Sequence, residues 1–101
     1  MTKTLFVSGH AGAREWAARR GIDAQMVRHL QTSEVEPGDT VIGSLPAHLA
    51  AEVCARGARY CHLAMELGPE DRRRELSADD MERLGARLVD IRAEIVGETK
   101  R

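Results

Sequence analysis

Two short segments combine serine, glycine and histidine in a way that suits phosphate binding and proton transfer. Residues 8–10 read Ser-Gly-His after one apolar run, and residues 43–48 read Gly-Ser-Leu-Pro-Ala-His after another. A serine hydroxyl and the free N–H groups of a helix start bind anions. An imidazole exchanges protons near neutral pH. The spacing therefore predicts an anion pocket at the two serine-containing turns, with His10 as the best candidate for acid or base work and His48 pointing toward the same rim.

Simpler interpretations of the same residues stay open. Ser44 at the start of a helix is also what a helix cap looks like, and His10 is also compatible with a purely hydrogen-bonded role. His29 and His62 lie within strand-like runs, where a structural role is expected. Each reading leaves the phosphate pocket as a hypothesis about the first two histidine-bearing segments.

Arginines near these segments supply positive charge. Arg14 falls close to His10 if a helix begins after the first turn. Arg72, Arg73 and Arg74 form a basic run in a polar stretch that we predict to be a surface loop, and this run could clamp phosphates. Acidic residues flank the run, so a merely solvated charge cluster is the alternative.

Several chemistries lack the residues they need. No GxGxxG, GxxxxGK[ST], GxSxG or HExxH motif occurs, and no His, Cys and carboxylate cluster has zinc-ligand spacing. Cys54 and Cys61 are too few for a disulfide framework. We therefore expect neither a metal nor a cofactor.

The elements that position these residues follow from the hydrophobic pattern. Strand-like runs cover residues 4–7, 24–30, 40–42 and 59–63. One helix is predicted to begin near Ala13 and end at Gly21. Another begins at Ser44 and Pro46, buries Leu49, Ala50, Val53 and Cys54, and ends at Gly57.

A third helix is predicted at the end of the chain. Ser77 and Asp80 form a capping-box-like start. Apolar residues then repeat at spacings of three and four, which predicts one apolar seam packed on the sheet or on a partner chain. The seam consists of Met81, Leu84, Leu88, Ile91 and Ile95.

The resulting order is β-α-β-β-α-β-α, which predicts an α/β fold: a small Rossmann-like domain with a mainly parallel sheet flanked by helices. We expect residues 1–96 to form this single domain and residues 97–101 to fray. Ligands of such sheets bind beyond the carboxyl ends of the strands. Both serine-containing turns are predicted to lie there.

The amino-acid composition limits the classes of partner that the chain is expected to bind. The chain has 101 residues, 43% hydrophobic and 31% charged, with a formal net charge of −1. A genomic nucleic-acid binder normally carries a basic excess, so we expect no such partner. No apolar stretch long enough for a membrane span and no signal peptide is seen, which predicts a cytoplasmic protein without a membrane partner.

Long segments of the chain resemble one protein family. Residues 6–13 with Glu15 and Trp16, then residues 38–46, 49–54, 57–60 and 74–77, together resemble the short CRISPR-associated Csx-sixteen proteins. The resemblance covers nearly the whole chain. It departs in the first turn, where Gly9 and Ala11 replace a basic residue and a proline.

This resemblance implies a ring nuclease of type III CRISPR systems. Such a protein linearises cyclic tetra-adenylate by attack of a ribose 2′-OH on the adjoining phosphate without a metal, and it switches off the antiviral response. A Rossmann-like homodimer is implied, in which the same loop of each subunit meets a two-fold ligand. His10 would be the general acid or transition-state stabiliser. The catalytic set would be His10, Ser8 and Ser44, and the ligand-binding set Gly9, Arg14, Gly43, Leu45, Pro46, His48, Arg72, Arg73 and Arg74.

Two other functions fit the same residues. One is a module that binds and sequesters the cyclic oligoadenylate without cutting it. The other is a regulatory partner of the CRISPR effector that uses the apolar seam from Met81 to Ile95 as an interaction face.

Overall fold

The computed structural model describes residues 2–72 and 74–99, which form one five-stranded sheet flanked by helices. The strands are β1 (Thr4–Val7), β2 (Gln25–Val27), β3 (Thr40–Gly43), β4 (Arg59–Ala64) and β5 (Arg87–Ile91). The helices are α1 (Ala13–Arg19), α2 (Ala47–Ala55) and α3 (Ala78–Arg83), with 3-10 turns at Thr32–Glu34 and Pro69–Asp71.

The sheet has the strand order β2-β1-β3-β4-β5. β1 pairs in parallel with both β2 and β3, β3 pairs in parallel with β4, and β5 runs antiparallel to β4. The predicted α/β class, a mainly parallel Rossmann-like sheet with flanking helices, is confirmed. The carboxyl ends of β1, β2, β3 and β4 consequently share one edge of the sheet.

Side chains alternate between two cores because successive residues of a strand point to opposite faces. Phe6 and Ile42 pack with Trp16 and Met81, which belong to α1 and α3. Their neighbours in the strands, with Tyr60 of β4, pack on the other face against Ala50 and Val53 of α2. Phe6 is fully buried, and burial of one such ring contributes about 1.5–3 kcal/mol.

The start of α1 is tied to the segment before α3 by a close backbone approach. A Cβ at Gly12 would lie 2.3 Å from the backbone nitrogen of Ala78, so only glycine fits. The Gly12 N–H donates to the Leu76 carbonyl over 3.0 Å. These contacts bring residues 76–78 against the turn that follows β1.

The predicted third helix is wrong beyond its first turns. α3 ends at Arg83, and Gly85 follows with a φ of +72°, which turns the chain back. Residues 87–91 then form β5, paired with β4. Met81 and Leu84 are buried as predicted, but Leu88, Ile91 and Ile95 are exposed, so no helical seam exists. The free backbone groups at the edge of β4 pair with residues 87–91 and make them a strand. The spacing of apolar residues along the chain does not reveal that edge.

Helix starts agree with the prediction in one case and differ in another. Ser77 caps α3 as expected, because its hydroxyl accepts from the Asp80 N–H while the Asp80 carboxylate accepts from the Ser77 N–H. Ser44 does not cap α2, which begins after Pro46. The Ser44 hydroxyl instead donates to the Leu63 carbonyl of β4 over 2.6 Å.

Candidate functional site

The order of the strands reverses beside β1. The chain passes from β1 through α1 to β2 on one side, then returns to β3 on the other side and continues through α2 to β4. α1 and α2 pack on opposite faces of the sheet. Ligands of open α/β sheets bind where the strand order reverses, outside the carboxyl ends of the strands. The segments after β1 and β3 occupy that place.

A cleft of about 250 Å³ opens at this edge beside β1 and β2. We call it the basic cleft. It unites Ser8, His10 and Arg14, three of the residues predicted from the sequence. The full lining is Ser8, His10, Ala11, Arg14, Met26, Val27 and Arg28.

Backbone contacts hold the Ser8 and His10 side chains of the basic cleft. Ser8 Oγ accepts from the His10 N–H over 3.1 Å, and His10 Nδ1 accepts from the Leu76 N–H over 3.2 Å. An imidazole nitrogen that accepts a hydrogen bond carries no proton. The His10 ring is therefore neutral in this arrangement, with its proton on Nε2, and it can donate a hydrogen bond to a ligand.

Two guanidinium groups give the cleft its positive charge. Arg14 and Arg28 line it, and within residues 2–72 and 74–99 neither makes an ion pair. The Arg28 guanidinium lies 3.9 Å from the position of a Cβ on Gly9, so it sits directly over the first turn. Other arginines are neutralised by carboxylates, namely Arg19, Arg20, Arg59, Arg74, Arg83 and Arg87.

Arg28 was not identified from the sequence as a site residue. Its one signal is its position immediately after β2, at the carboxyl end of a parallel strand. The approach of Arg28 to Gly9 depends on the parallel pairing of β1 with β2, in which Val7 lies beside Val27. Spacing along the chain does not report that pairing.

The second predicted segment, residues 43–48, lies on the same edge but does not line the basic cleft. Gly43 pairs with Val7, so Ser44 and Ser8 follow neighbouring positions on adjacent strands, about 4.8 Å apart. Gly43 has a φ of +156°, and a Cβ there would lie 2.8 Å from the Val7 carbonyl oxygen. The segment continues through Leu45 and Pro46 to His48, which is exposed in the first turn of α2.

Tyr60 fastens this second segment to the sheet. Its hydroxyl donates to the Gly43 carbonyl over 3.0 Å and accepts from the Leu45 N–H over 2.9 Å. His62 Nδ1 lies 2.8 Å from the same oxygen. Burial raises the pKa of Tyr60, so the hydroxyl keeps its proton at neutral pH. Sequence reasoning assigned His62 a structural role and did not single out Tyr60.

The predicted arginine loop, residues 72–74, is only partly free for a ligand. Arg74 binds the Asp71 carboxylate over 2.7 Å and the Asp80 carboxylate over 2.9 Å. The Arg74 guanidinium, together with the Gly68 N–H, lowers the pKa of the buried Asp71 carboxyl. Arg72 is exposed, and Arg73 lies outside the described residues. Leu76, two residues after this loop, donates to His10 in the basic cleft.

A larger cavity of about 930 Å³ lies away from this edge, between α2, β4, β5 and residues 92–95. It contains none of the site residues predicted from the sequence. In the described ranges, no group of three His, Cys, Asp or Glu side chains is arranged to hold a metal ion. The basic cleft and the two turns above it are therefore the candidate site.

Comparison with known proteins gives the chain a family. Residues 5–94 match the family described as "Putative CRISPR-associated protein (Cas_VVA1548)", and this range includes every strand but the first residue of β1. The chain belongs to the Cas_VVA1548 family of CRISPR-associated proteins. No curated protein and no solved structure matches it.

The family match places this Cas_VVA1548 protein among CRISPR-associated proteins, as the resemblance predicted. Both serine-containing turns and the residues of the basic cleft lie inside the matched range. None of the helices in the described part of the Cas_VVA1548 protein is long and apolar enough to cross a membrane.

Proposed function

We propose that this Cas_VVA1548 protein is a ring nuclease that linearises cyclic tetra-adenylate. The observation that carries the proposal is the basic cleft, which lies where the strand order reverses. There His10 can donate a hydrogen bond from Nε2. Two arginines, Arg14 and Arg28, line the same cleft and make no ion pair with the described residues. A ligand that suits it is a small polyanion. The CRISPR-associated family supports a cyclic oligoadenylate messenger as that polyanion.

The reaction needs little from the protein because the nucleophile belongs to the ligand. A ribose 2′-OH attacks the adjoining phosphorus, the bond to the 5′ oxygen breaks, and a 2′,3′-cyclic phosphate and a free 5′-OH result. The protein must hold the 2′ oxygen in line and stabilise charge on the phosphate oxygens. No metal takes part in this route.

In this proposal each residue of the site has a defined role. His10 Nε2–H donates to a phosphate oxygen, which is a stabilising role and does not require His10 to release a proton. Ser8 and the guanidinium groups of Arg14 and Arg28 hold the same phosphate. Ser44 can contact a second phosphate once its hydroxyl leaves the Leu63 carbonyl. Arg72 adds charge from the loop beside the cleft.

The partner arrangement in this proposal is a homodimer. A cleft of about 250 Å³ encloses only part of a cyclic tetranucleotide. Two copies related by a two-fold axis offer the same cleft twice, which matches the two-fold symmetry that the ligand can adopt.

Incubation with labelled cyclic tri-, tetra- and hexa-adenylate in EDTA, followed by chromatography, tests the proposal. We expect the tetra-adenylate to be linearised in EDTA. Under single turnover, His10→Ala and Ser8→Ala should lower the rate about 10²-fold or more, as loss of a transition-state donor does. A strict metal requirement, or wild-type rates for His10→Ala, Ser8→Ala and Ser44→Ala together, would contradict the assignment.

A sequestering module is the second candidate function. The observation that favours it is the Ser44 hydroxyl proton, which is already directed at the Leu63 carbonyl. A site that only binds would retain the labelled ring on the protein and release it intact after denaturation. Appearance of linear product decides for the nuclease.

A further inference from the structure

The hydroxyl of Tyr60 determines where His62 carries its proton. Three groups lie within hydrogen-bond distance of this oxygen: the Gly43 carbonyl, the Leu45 N–H and His62 Nδ1. The carbonyl only accepts, so it must receive the single phenolic proton. The Leu45 N–H only donates. All three contacts are satisfied only when His62 Nδ1 carries a proton and donates it to Tyr60 Oη.

This arrangement leaves the neutral His62 ring with an unprotonated Nε2. His10 is held in the opposite form, since its Nδ1 accepts from the Leu76 N–H and its Nε2 carries the proton. The two histidines therefore present complementary atoms, a donor at His10 and an acceptor at His62. Neither assignment is visible from the residue types alone.

The sheet places His62 level with the ends of β1 and β3. Val7, Gly43 and His62 lie side by side on β1, β3 and β4. Two strand spacings, about 9–10 Å, separate Val7 from His62. Ser8 and Ser44 follow Val7 and Gly43 by one residue. His62 is half-buried, so its ring is oriented by its neighbours and still reaches solvent.

We propose that His62 is the general base of the ring-nuclease reaction, with Tyr60 as its positioning residue; this inference rests on the proposed function. His62 Nε2 takes the proton of the ribose 2′-OH as the 2′ oxygen bonds to phosphorus. The bond from phosphorus to the 5′ oxygen breaks, and that oxygen takes a proton from water. The protonated His62 then gives its proton to the hydroxide left behind, so no net proton is gained or lost.

A His62→Asn variant separates this role from a structural one. The asparagine amide can still donate to Tyr60 Oη from the place of Nδ1, but it has no basic nitrogen in the place of Nε2. We expect an unchanged melting temperature, unchanged binding of cyclic tetra-adenylate, and a single-turnover rate about 10²–10⁴-fold lower. The exposed His29, changed to Asn, is the matched control and should cleave at the wild-type rate.

Two more variants test the roles of His62 and Tyr60 if His62→Asn does not fold. Added imidazole should raise the rate of His62→Ala about tenfold or more, because it restores the missing base, and it should leave His10→Ala unchanged. Tyr60→Phe should cleave more slowly, because the His62 ring loses its positioning contact.

The outcomes distinguish the ring-nuclease function from the role of His62 as its base. Wild-type protein that leaves cyclic tetra-adenylate intact overturns the proposed function and this inference with it. Wild-type protein that cleaves, together with a His62→Asn variant that cleaves equally fast or a His62→Ala variant that imidazole does not rescue, overturns the base assignment alone.

Discussion

His10 acquires its chemical role from a single backbone contact. The Leu76 N–H donates to Nδ1, so the proton of the neutral ring lies on Nε2, where it can be donated to a ligand. The charge beside it comes from Arg14 and Arg28, which share the cleft with His10. At the scale of single residues, the site consists of the oriented His10 N–H donor and the two guanidinium groups of Arg14 and Arg28.

Removal of either cleft arginine should weaken the binding of cyclic tetra-adenylate. A charge-assisted hydrogen bond contributes about 1.5–3 kcal/mol, so Arg28→Ala and Arg14→Ala should each raise Kd about tenfold or more. The exposed Arg56, at the end of α2, is the matched control, and Arg56→Ala should bind like wild type. Titration calorimetry with the intact ring measures the three values. Equal affinities for all three variants would contradict the location of the ligand.

Two elements meet over the site at Gly12. The start of α1 and the segment before α3 approach until a Cβ at Gly12 would lie 2.3 Å from backbone atoms. Leu76, which orients His10, belongs to that segment and also accepts from the Gly12 N–H. The contact between these two elements therefore positions the Leu76 N–H, whose hydrogen bond to Nδ1 leaves the His10 proton on Nε2.

Gly12→Ala should separate these elements. Backbone atoms cannot move aside as a side chain does, so we expect a loss of about 1–3 kcal/mol in the free energy of unfolding, as overpacked cores show. Gly9→Ala is the matched control for stability, because its Cβ would meet only the Arg28 guanidinium at 3.9 Å. Urea unfolding followed by circular dichroism measures both variants. Equal stability of the two would contradict the close approach.

At the scale of the whole molecule, Asp39 fastens the beginning of the central strand β3. Its fully buried carboxylate binds the Lys3 ammonium over 2.6 Å and accepts from the N–H groups of Glu36 and Lys3. These contacts, the Lys3 side chain first among them, lower the pKa of Asp39 from 3.8 to about 2. They join the residue before β1 to the turn before β3.

This lowered pKa predicts how stability depends on pH. Between about pH 4 and pH 2 the unfolded chain binds the Asp39 proton and the folded chain does not, so the free energy of unfolding falls as pH falls through this window. Asp39→Asn should be less stable at pH 7 and should show a weaker fall. The exposed Asp23, changed to Asn, is the control. Urea unfolding at a series of pH values measures the slopes, and an unchanged slope for Asp39→Asn would contradict the prediction.

Local sequence determined most of the fold. Apolar runs next to glycine specified β1, β3 and β4, and Ser77 with Asp80 specified the start of α3, because such signals act within a few residues. The strand-like run at residues 24–30 contains β2, which is shorter and covers only Gln25–Val27. The same locality placed Ser8 and His10 just after β1 and Arg14 in the first turn of α1. The sequence by itself therefore determined the α/β class, the edge where the site lies and part of its lining.

Only the tertiary structure decided what depends on contacts between distant segments. Leu88 and Ile91 continue a spacing of three and four that suits a helix, yet the open edge of β4 and the turn at Gly85 make them a strand. Arg28 enters the cleft because β2 pairs with β1, and Tyr60 with His62 reaches the Ser44 turn because β4 pairs with β3. Pairing between strands is a long-range choice among competing registers, and no spacing along the chain encodes it.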